Sequence, residues 1–409
     1  EMCIRDRCIR KKMNKISELI AQHKMDWTLD QEFYKSEEIF AAEVEKIFQD
    51  SWIFIGHQSQ IPEVGDYFVY TLLAEEVIIL RGKDNNIHAF YNVCRHRGSR
   101  ICLETSGSTK RLRCPYHSWT YNLEGNLIAA KSFPDELEKS DFSLHKCNLE
   151  IIAGMIFINF SDNPQSIANL KRDLKEPFSM FGFEDLKIAA HKNYPIDSNW
   201  KLAIENYQEC YHCAASHPEY SLSHSLKIEN EPEFDKAQAV MLETLEACGL
   251  KDISVNHDFS RKELGQEQYA YSRYALFDGY VTGSKDGKPL APLLGNIKDH
   301  NQGCSDFNLG PVCYFLAYCD HMVGYIFTPT AQDKCQCDVY WFVKNDAIEG
   351  QDYDKDKLMW LWDTTTFADE TIIVNNQKGV NSIKYQSGPF TDKESSTRSF
   401  IKWYLSVIS

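Results

Sequence analysis

The chain has 409 residues, too many for one small electron carrier and enough for two or three domains, and its 43% hydrophobic and 13% aromatic content can fill cores of ordinary size. Its 44 basic against 59 acidic side chains leave a formal charge of −15, which argues against nucleic acid or an anionic membrane as partner. Fourteen cysteines without a secretory apolar segment read as a reduced, cytoplasmic protein, and the longest strongly apolar run, Ile151 to Phe160, is about half the roughly 20 residues a spanning helix needs.

Taken in chain order, residues 1–12, with Cys3, Cys8 and five basic side chains ahead of Met13, read as a non-native leader. Residues 13–50 form a helical segment, because Phe40, Val44, Ile47 and Phe48 recur at helical spacing between Ile16 and Gln49. From 51 to 162 the texture changes to short β runs, among them Tyr67 to Tyr70, Val77 to Leu80 and Met155 to Phe160. These are punctuated by Asp84-Asn85-Asn86 and Glu124-Gly125-Asn126.

Two mixed pairs fall on loops of this β block, Cys94-x-His96 and Cys114-x-x-His117, with seventeen residues between them. A Rieske [2Fe–2S] centre needs two thiolates on one iron and two imidazoles on the other. The simplest assignment gives Cys94 and Cys114 to one iron, and His96 and His117 to its neighbour. A structural zinc site accepts the same donors but usually pairs Cys with Cys and His with His. The order found here does not follow that habit, and Pro115, Tyr116 and Trp119 add a stiffened loop with aromatic bulk to exclude water.

Residues 163–409 form a mixed block. A helical stretch near Asn199 to His212 precedes a polar, irregular region around Gly283 to Pro289. Strand-like runs follow at Val312 to Ala317, Met322 to Phe327 and Cys337 to Val343, and a long helix runs from Lys355 to Gly379. Two imidazoles and a carboxylate, with positions left open, suit a mononuclear Fe(II) that activates O₂. His212 and His217 supply the imidazoles. Five residues turn an ideal helix by about 140°, and Pro218 disfavours α geometry at His217, so the second ligand is expected where the helix ends. For the carboxylate, helical spacing puts Asp369 on the face of Ile372, Ile373 and Asn376, where an acid is costly unless paired or metal-bound. Glu370 and Asp363 read as solvated or capping acids.

The segments Asn92-Val93-Cys94-Arg95-His96-Arg97-Gly98 and Cys114-Pro115-Tyr116-His117-Ser118-Trp119, with Asn199-Trp200-Lys201-Leu202 and Glu205-Asn206-Tyr207-Gln208-Glu209-Cys210-Tyr211-His212, resemble the α subunits of Rieske non-haem iron oxygenases. The position of Asp369, eight residues before Gln377, is similar to that family's third ligand. The resemblance implies an α+β fold: N-terminal helices, an all-β Rieske domain over 51–162, and a C-terminal helix-grip domain over 163–409 with an antiparallel sheet and a long helix. It implies a Rieske cluster on Cys94, His96, Cys114 and His117, and a mononuclear Fe(II) on His212, His217 and Asp369. Asn206 and Glu209 belong to its catalytic motif, Glu209 as an acid that hydrogen-bonds a Rieske histidine of a neighbouring subunit, His117 by position. It further implies a homotrimer fed by a separate NAD(P)H-dependent flavin reductase, since no dinucleotide fingerprint follows a strand in this chain.

Glutamate at 209, where many ring-hydroxylating members carry aspartate, is similar to the branch acting on quaternary ammonium compounds. N-demethylation of a betaine-like amine is therefore the expected reaction. Hydroxylation of an aromatic acid is the alternative, and an electron-transfer protein without turnover the non-enzyme one. The aromatics Tyr271, Tyr274, Phe277, Tyr280, Phe307, Tyr314, Phe315, Tyr318, Tyr325, Phe327 and Trp341 are candidates to cage a cationic head, although most belong to an ordinary core.

Overall fold

The computed structural model describes residues 15–224, 232–249, 268–277 and 279–409, so the leader 1–12 and Met13 lie outside the described residues. The helical opening is present in pieces: residues 15–22, then Glu32–Lys35 and Glu37–Glu43, running into a π-helical turn over Val44–Phe48. Ser36 caps the third of these by accepting the Ile39 N–H. Phe33, Tyr34, Ile39, Ile47 and Phe48 are buried against the C-terminal half of the chain.

The β block holds strands β1 (Ile53–His57), β2 (Asp66–Leu72), β3 (Glu75–Arg81), β4 (Ile87–Tyr91), β5 (Ser106–Ser108), β6 (Leu112–Arg113), β7 (Thr120–Tyr121), β8 (Leu127–Ala129), β9 (Asn148–Ile152) and β10 (Met155–Asn159). They form three small sheets, β1-β10-β9, β4-β3-β2-β5 and β6-β7-β8. Val77, Ile78, Ile79 and Leu80 of β3 are all fully buried, which explains their unbroken apolar run. One metal-pair loop leaves the end of β4 and the other is the turn between β6 and β7. Asn92 pins the first loop: its Oδ1 accepts the Ile101 and Cys102 N–H groups, each at 2.9 Å, and its Nδ2 donates to Glu76 Oε2 and the Cys102 carbonyl, each at 2.8 Å.

The C-terminal block is one six-stranded antiparallel sheet of β11 (Leu186–Ile196), β12 (Tyr269–Tyr274), β13 (Cys304–Leu309), β14 (Cys313–Ala317), β15 (Met322–Ala331) and β16 (Lys334–Lys344), in the order β11-β16-β15-β14-β13-β12. The long helix Lys355–Val380 packs on β11 and on the helix Trp200–Tyr207. One core lies between sheet and helices and a second on the opposite sheet face. This is the expected α+β helix-grip arrangement. The strands β11, β12 and β13 and the helices Pro232–Ala247 and Ser395–Ile408 add to what the sequence predicts. Strand β11 hides because a bulge at Ile188/Ala190 breaks its alternation and because it is an edge strand that tolerates Pro195.

The segment Asn199-Trp200-Lys201 has a structural role that the motif alone does not reveal. Asn199 Oδ1 accepts the Lys201 N–H and caps the helix, while its own N–H donates to Gln377 Oε1 at 2.8 Å. Trp200 Nε1 and Lys201 Nζ both reach the fully buried Glu43, which also accepts from Tyr404 Oη. One acid thus ties the N-terminal helices, this helix and the C-terminal helix together.

Candidate metal centres

At the β block's loop end, Cys94 and Cys114 are buried while His96 and His117 are exposed, with their rings 4.6 Å apart at 74°. The two loops repeat one backbone pattern. In the first, Cys94 N–H donates to the Ser99 carbonyl and Gly98 N–H to the Cys94 carbonyl; in the second, Cys114 N–H donates to the Trp119 carbonyl and Ser118 N–H to the Cys114 carbonyl. The fourth residue after each cysteine has positive φ, +76° at Gly98 and +62° at Ser118, and glycine meets this without strain where serine does not. Trp119 stacks on His96 at 4.8 Å and 8°, and packs against Phe133 and Phe142, closing one side of the loops.

Burial holds the Cys94 thiol above its ordinary range, countered by Tyr121 Oη, which lies 3.3 Å from the sulfur and itself accepts the Arg95 N–H. A buried thiolate pair on one side and a solvent-facing imidazole pair on the other is the donor arrangement a Rieske cluster requires. The residues fit the group.

The second constellation lies where the helix Trp200–Tyr207 gives out. The chain stays irregular through residues 208–212, forms the single turn Cys213–Ser216, and breaks again at His217, which has φ −129° and ψ 69°. Pro218 then starts the helix Pro218–Ser223 at its first position. The predicted helix to His212 is therefore five residues too long, while the predicted break at His217 is present. His217 Nε2 lies 2.9 Å from Asp369 Oδ1 and His212 Nε2 3.2 Å from the same oxygen. One donor atom from each of the three residues can be chosen within 4.8 Å of the others. Metal bonds of about 2.1 Å set adjacent octahedral donors about 3.0 Å apart, close to both carboxylate distances.

The charges point the same way. Burial disfavours a cationic His212, yet Asp369 and Glu209 overcome it and hold the imidazole up, to about 10. Burial likewise works against an ionised Asp369, and the two imidazoles hold its carboxyl below the usual range all the same. One carboxylate facing the Nε2 atoms of two imidazoles is a donor set that suits a cation, so this set also fits its group. Glu209 Oε1 sits 2.6 Å from His212 Nδ1 and its other oxygen accepts the His212 and Tyr211 N–H groups. Glu209 thus caps an irregular turn and orients His212. Asn206 Nδ2 stands 3.5 Å from His212 Nε2.

Asp369 is placed by the long helix. Half-buried Asp369 lies along the stripe of buried Trp362, Thr365, Ile373 and Gln377, which differs from the predicted face in taking Gln377 and leaving Asn376 exposed. Gln377 binds the Asn199 N–H and so fixes this helix against the one leading to His212. Asp363, read as a solvated or capping acid, pairs instead with Lys192 and Tyr194.

A cavity of about 310 Å³ opens beside the triad, between the sheet and the helices. Tyr314 and Tyr325 of the predicted aromatics line it. Tyr271 and Phe307 reach its edge while packing into the second core. Sequence reasoning missed Tyr207, Tyr220 and Trp362, although each lies within two helical turns of a triad residue. Tyr207 stacks on Tyr314 at 4.4 Å and lies 5.3 Å from Tyr325, and Trp362 meets Tyr325 edge-on at 5.9 Å.

Residues 183–409 match the family of ring hydroxylating alpha subunits (catalytic domain), and residues 51–139 match the Rieske [2Fe-2S] domain. Over 395 residues, 95% of this chain and 87% of the relative, the chain is 32% identical to the glycine betaine monooxygenase oxygenase subunit of Chromohalobacter salexigens. Over 380 residues, 90% of each, it is 28% identical to the carnitine monooxygenase oxygenase subunit of Acinetobacter baumannii. The fold is that of the quaternary ammonium Rieske monooxygenase CntA in complex with L-carnitine, with a TM-score of 0.70 at 24% identity over 96% of this chain and 97% of that one. It is shared with naphthalene 1,2-dioxygenase from Rhodococcus, with a TM-score of 0.71 at 20% identity over 97% and 98%.

Proposed function

Because the chain belongs to the Rieske oxygenase family of ring-hydroxylating α subunits, we propose that it is the oxygenase component of a system that removes an N-methyl group from a betaine-like quaternary amine. The protein is an oxidoreductase with a Rieske [2Fe–2S] cluster and a mononuclear iron. In this reading Cys94, His96, Cys114 and His117 hold the cluster, His212, His217 and Asp369 hold the iron, and the domains are 13–50, 51–162 and 163–409. The cluster supplies electrons and the ferrous iron activates O₂.

The chain's own residues do the rest. Glu209 holds the His212 Nδ1 proton and orients the ring. Asn206 presents an amide beside the iron site. Tyr207, Tyr220, Tyr314, Tyr325 and Trp362 offer aromatic faces on which a trimethylammonium group binds at ~0.5–2 kcal/mol per contact. The reaction consumes O₂, two electrons and two protons, and gives water and an N-hydroxymethyl ammonium ion. Loss of formaldehyde and a proton from that ion leaves the tertiary amine. The electrons come from a separate reductase, consistent with relatives that are named oxygenase subunits. A homotrimer is the proposed assembly, with Glu209 facing the neighbouring subunit's cluster.

The observation that carries this reading is the make-up of the cavity wall, where the described residues bring Asp306, Glu209, Asp369 and several tyrosines and, among them, no Lys or Arg. An aromatic acid would meet repulsion there and a quaternary amine would not. Reconstituted protein with a reductase, offered glycine betaine, carnitine, choline and benzoate, is expected to release formaldehyde from at least one amine. A cis-diol from benzoate with no formaldehyde from any amine would overturn the proposal.

A further inference from the structure

The cavity wall carries three carboxylates, Asp369, Glu209 and Asp306. Two belong to the candidate iron site, Asp369 as a ligand and Glu209 through His212, and a ferrous ion bound there would balance them in charge. Asp306 is left over. It lies on β13 opposite Ser272 of β12 and Leu316 of β14, and its Oδ1 accepts a 3.1 Å bond from Tyr274 Oη. Strand alternation turns Phe307 into the second core against Phe178 and Tyr271, so Asp306 and Asn308 share the face toward the cavity. Burial pushes the Asp306 carboxyl up, to about 7, against the hydrogen bond from Tyr274. Asn308 is 5% exposed, and neither its amide nitrogen nor its oxygen has a hydrogen-bond partner among the described residues. A buried amide with both ends open is costly unless a ligand completes it.

We infer that Asp306 and Asn308 are the specificity-determining pair for the substrate, Asp306 as counter-ion to its quaternary ammonium head and Asn308 as hydrogen-bond partner of its carboxylate end. This rests on the N-demethylation reading and assigns the substrate class to a zwitterion. Residues two apart on a strand are about 6.8 Å apart along it, a span that suits a short betaine lying along the strand. Tyr314, beside Asn308 on β14, supplies the aromatic face between the two anchors and the stacked Tyr207.

The test is anaerobic calorimetry on the iron-loaded, cluster-containing protein with glycine betaine and its uncharged-head isostere, 3,3-dimethylbutanoate. The wild-type protein should favour betaine by at least about tenfold. Asp306→Asn should weaken betaine by about tenfold or more and leave the isostere unchanged or tighter, whereas Asn308→Ala should weaken both. Equal affinity of the wild-type protein for the two ligands would overturn the inference without any variant. Wild-type affinity for betaine in Asp306→Asn would remove the role of Asp306 and leave the demethylation reading standing. Failure of the wild-type protein to bind betaine, carnitine or choline would remove both.

Discussion

Single atoms set the properties of both candidate centres. Tyr121 Oη lies 3.3 Å from Cys94 Sγ, and a hydrogen bond to a cluster sulfur favours the reduced state. Tyr121→Phe should lower the cluster's reduction potential by about 40 mV, the one-electron equivalent of a bond worth about 1 kcal/mol, as read by redox titration of the cluster's absorbance. An unchanged potential would show that the contact carries no weight. Asp369→Ala should remove one of three irons per chain and leave the Rieske spectrum intact, because the two donor sets share no residue. At this scale the sequence was most legible where chemistry forces residue type. The four cluster residues and the three triad residues were named from spacing and motif, and the structure brings each set together. Asp306 was not legible, because a lone acid in Ser-Asp-Phe-Asn looks like any other until the fold sets it on the cavity wall.

Buried charge governs how the elements lock together. Glu43 is fully buried with Lys201, Trp200 and Tyr404 on it, and burial pulls the Lys201 ammonium below its ordinary pKa against the pull of Glu43. Glu43→Ala would leave that ammonium uncompensated and should cost about 3–5 kcal/mol, measured by urea unfolding, while a Glu43→Met, Lys201→Met pair should recover most of the loss.

One turn further along the same helix, burial raises Glu205 from 4.5 to about 7, with Tyr34 and Lys201 opposing. Its folded form holds a proton that its unfolded form releases, so its contribution to stability is fully present below about pH 4.5 and is lost as the pH rises toward 7. Glu205→Gln should therefore gain on the wild type across that window, by up to about 3 kcal/mol, and run parallel above it. A constant difference between pH 4 and 8 would contradict this. The long helix and the strands after 312 were legible because their apolar periods are clean. The helix end at Tyr207 was not, because Glu209 satisfies backbone N–H groups that helical continuation would have used.

For the molecule as a whole, no helix among the described residues is long and apolar enough to cross a membrane, and no disulfide joins the cysteines among them. The change of texture near residue 51 was legible, and a Rieske domain match begins there. The order of the six strands was not, since non-local pairing is written in contacts rather than in local pattern. Gln377 shows how the parts are joined: one amide ties the helix that carries Asp369 to the cap of the helix that leads to His212, and so sets the triad across 178 residues of chain.

The central claim is that one polypeptide stores electrons in a histidine-ligated cluster and spends them at a separate iron beside a cation-binding cavity. Single turnover tests it most directly. Protein reduced with dithionite, freed of excess reductant and exposed to O₂ with glycine betaine should release formaldehyde and dimethylglycine in equal amounts as the cluster reoxidises, with no reductase present. Reoxidation of the cluster with no formaldehyde from betaine, carnitine or choline would contradict it.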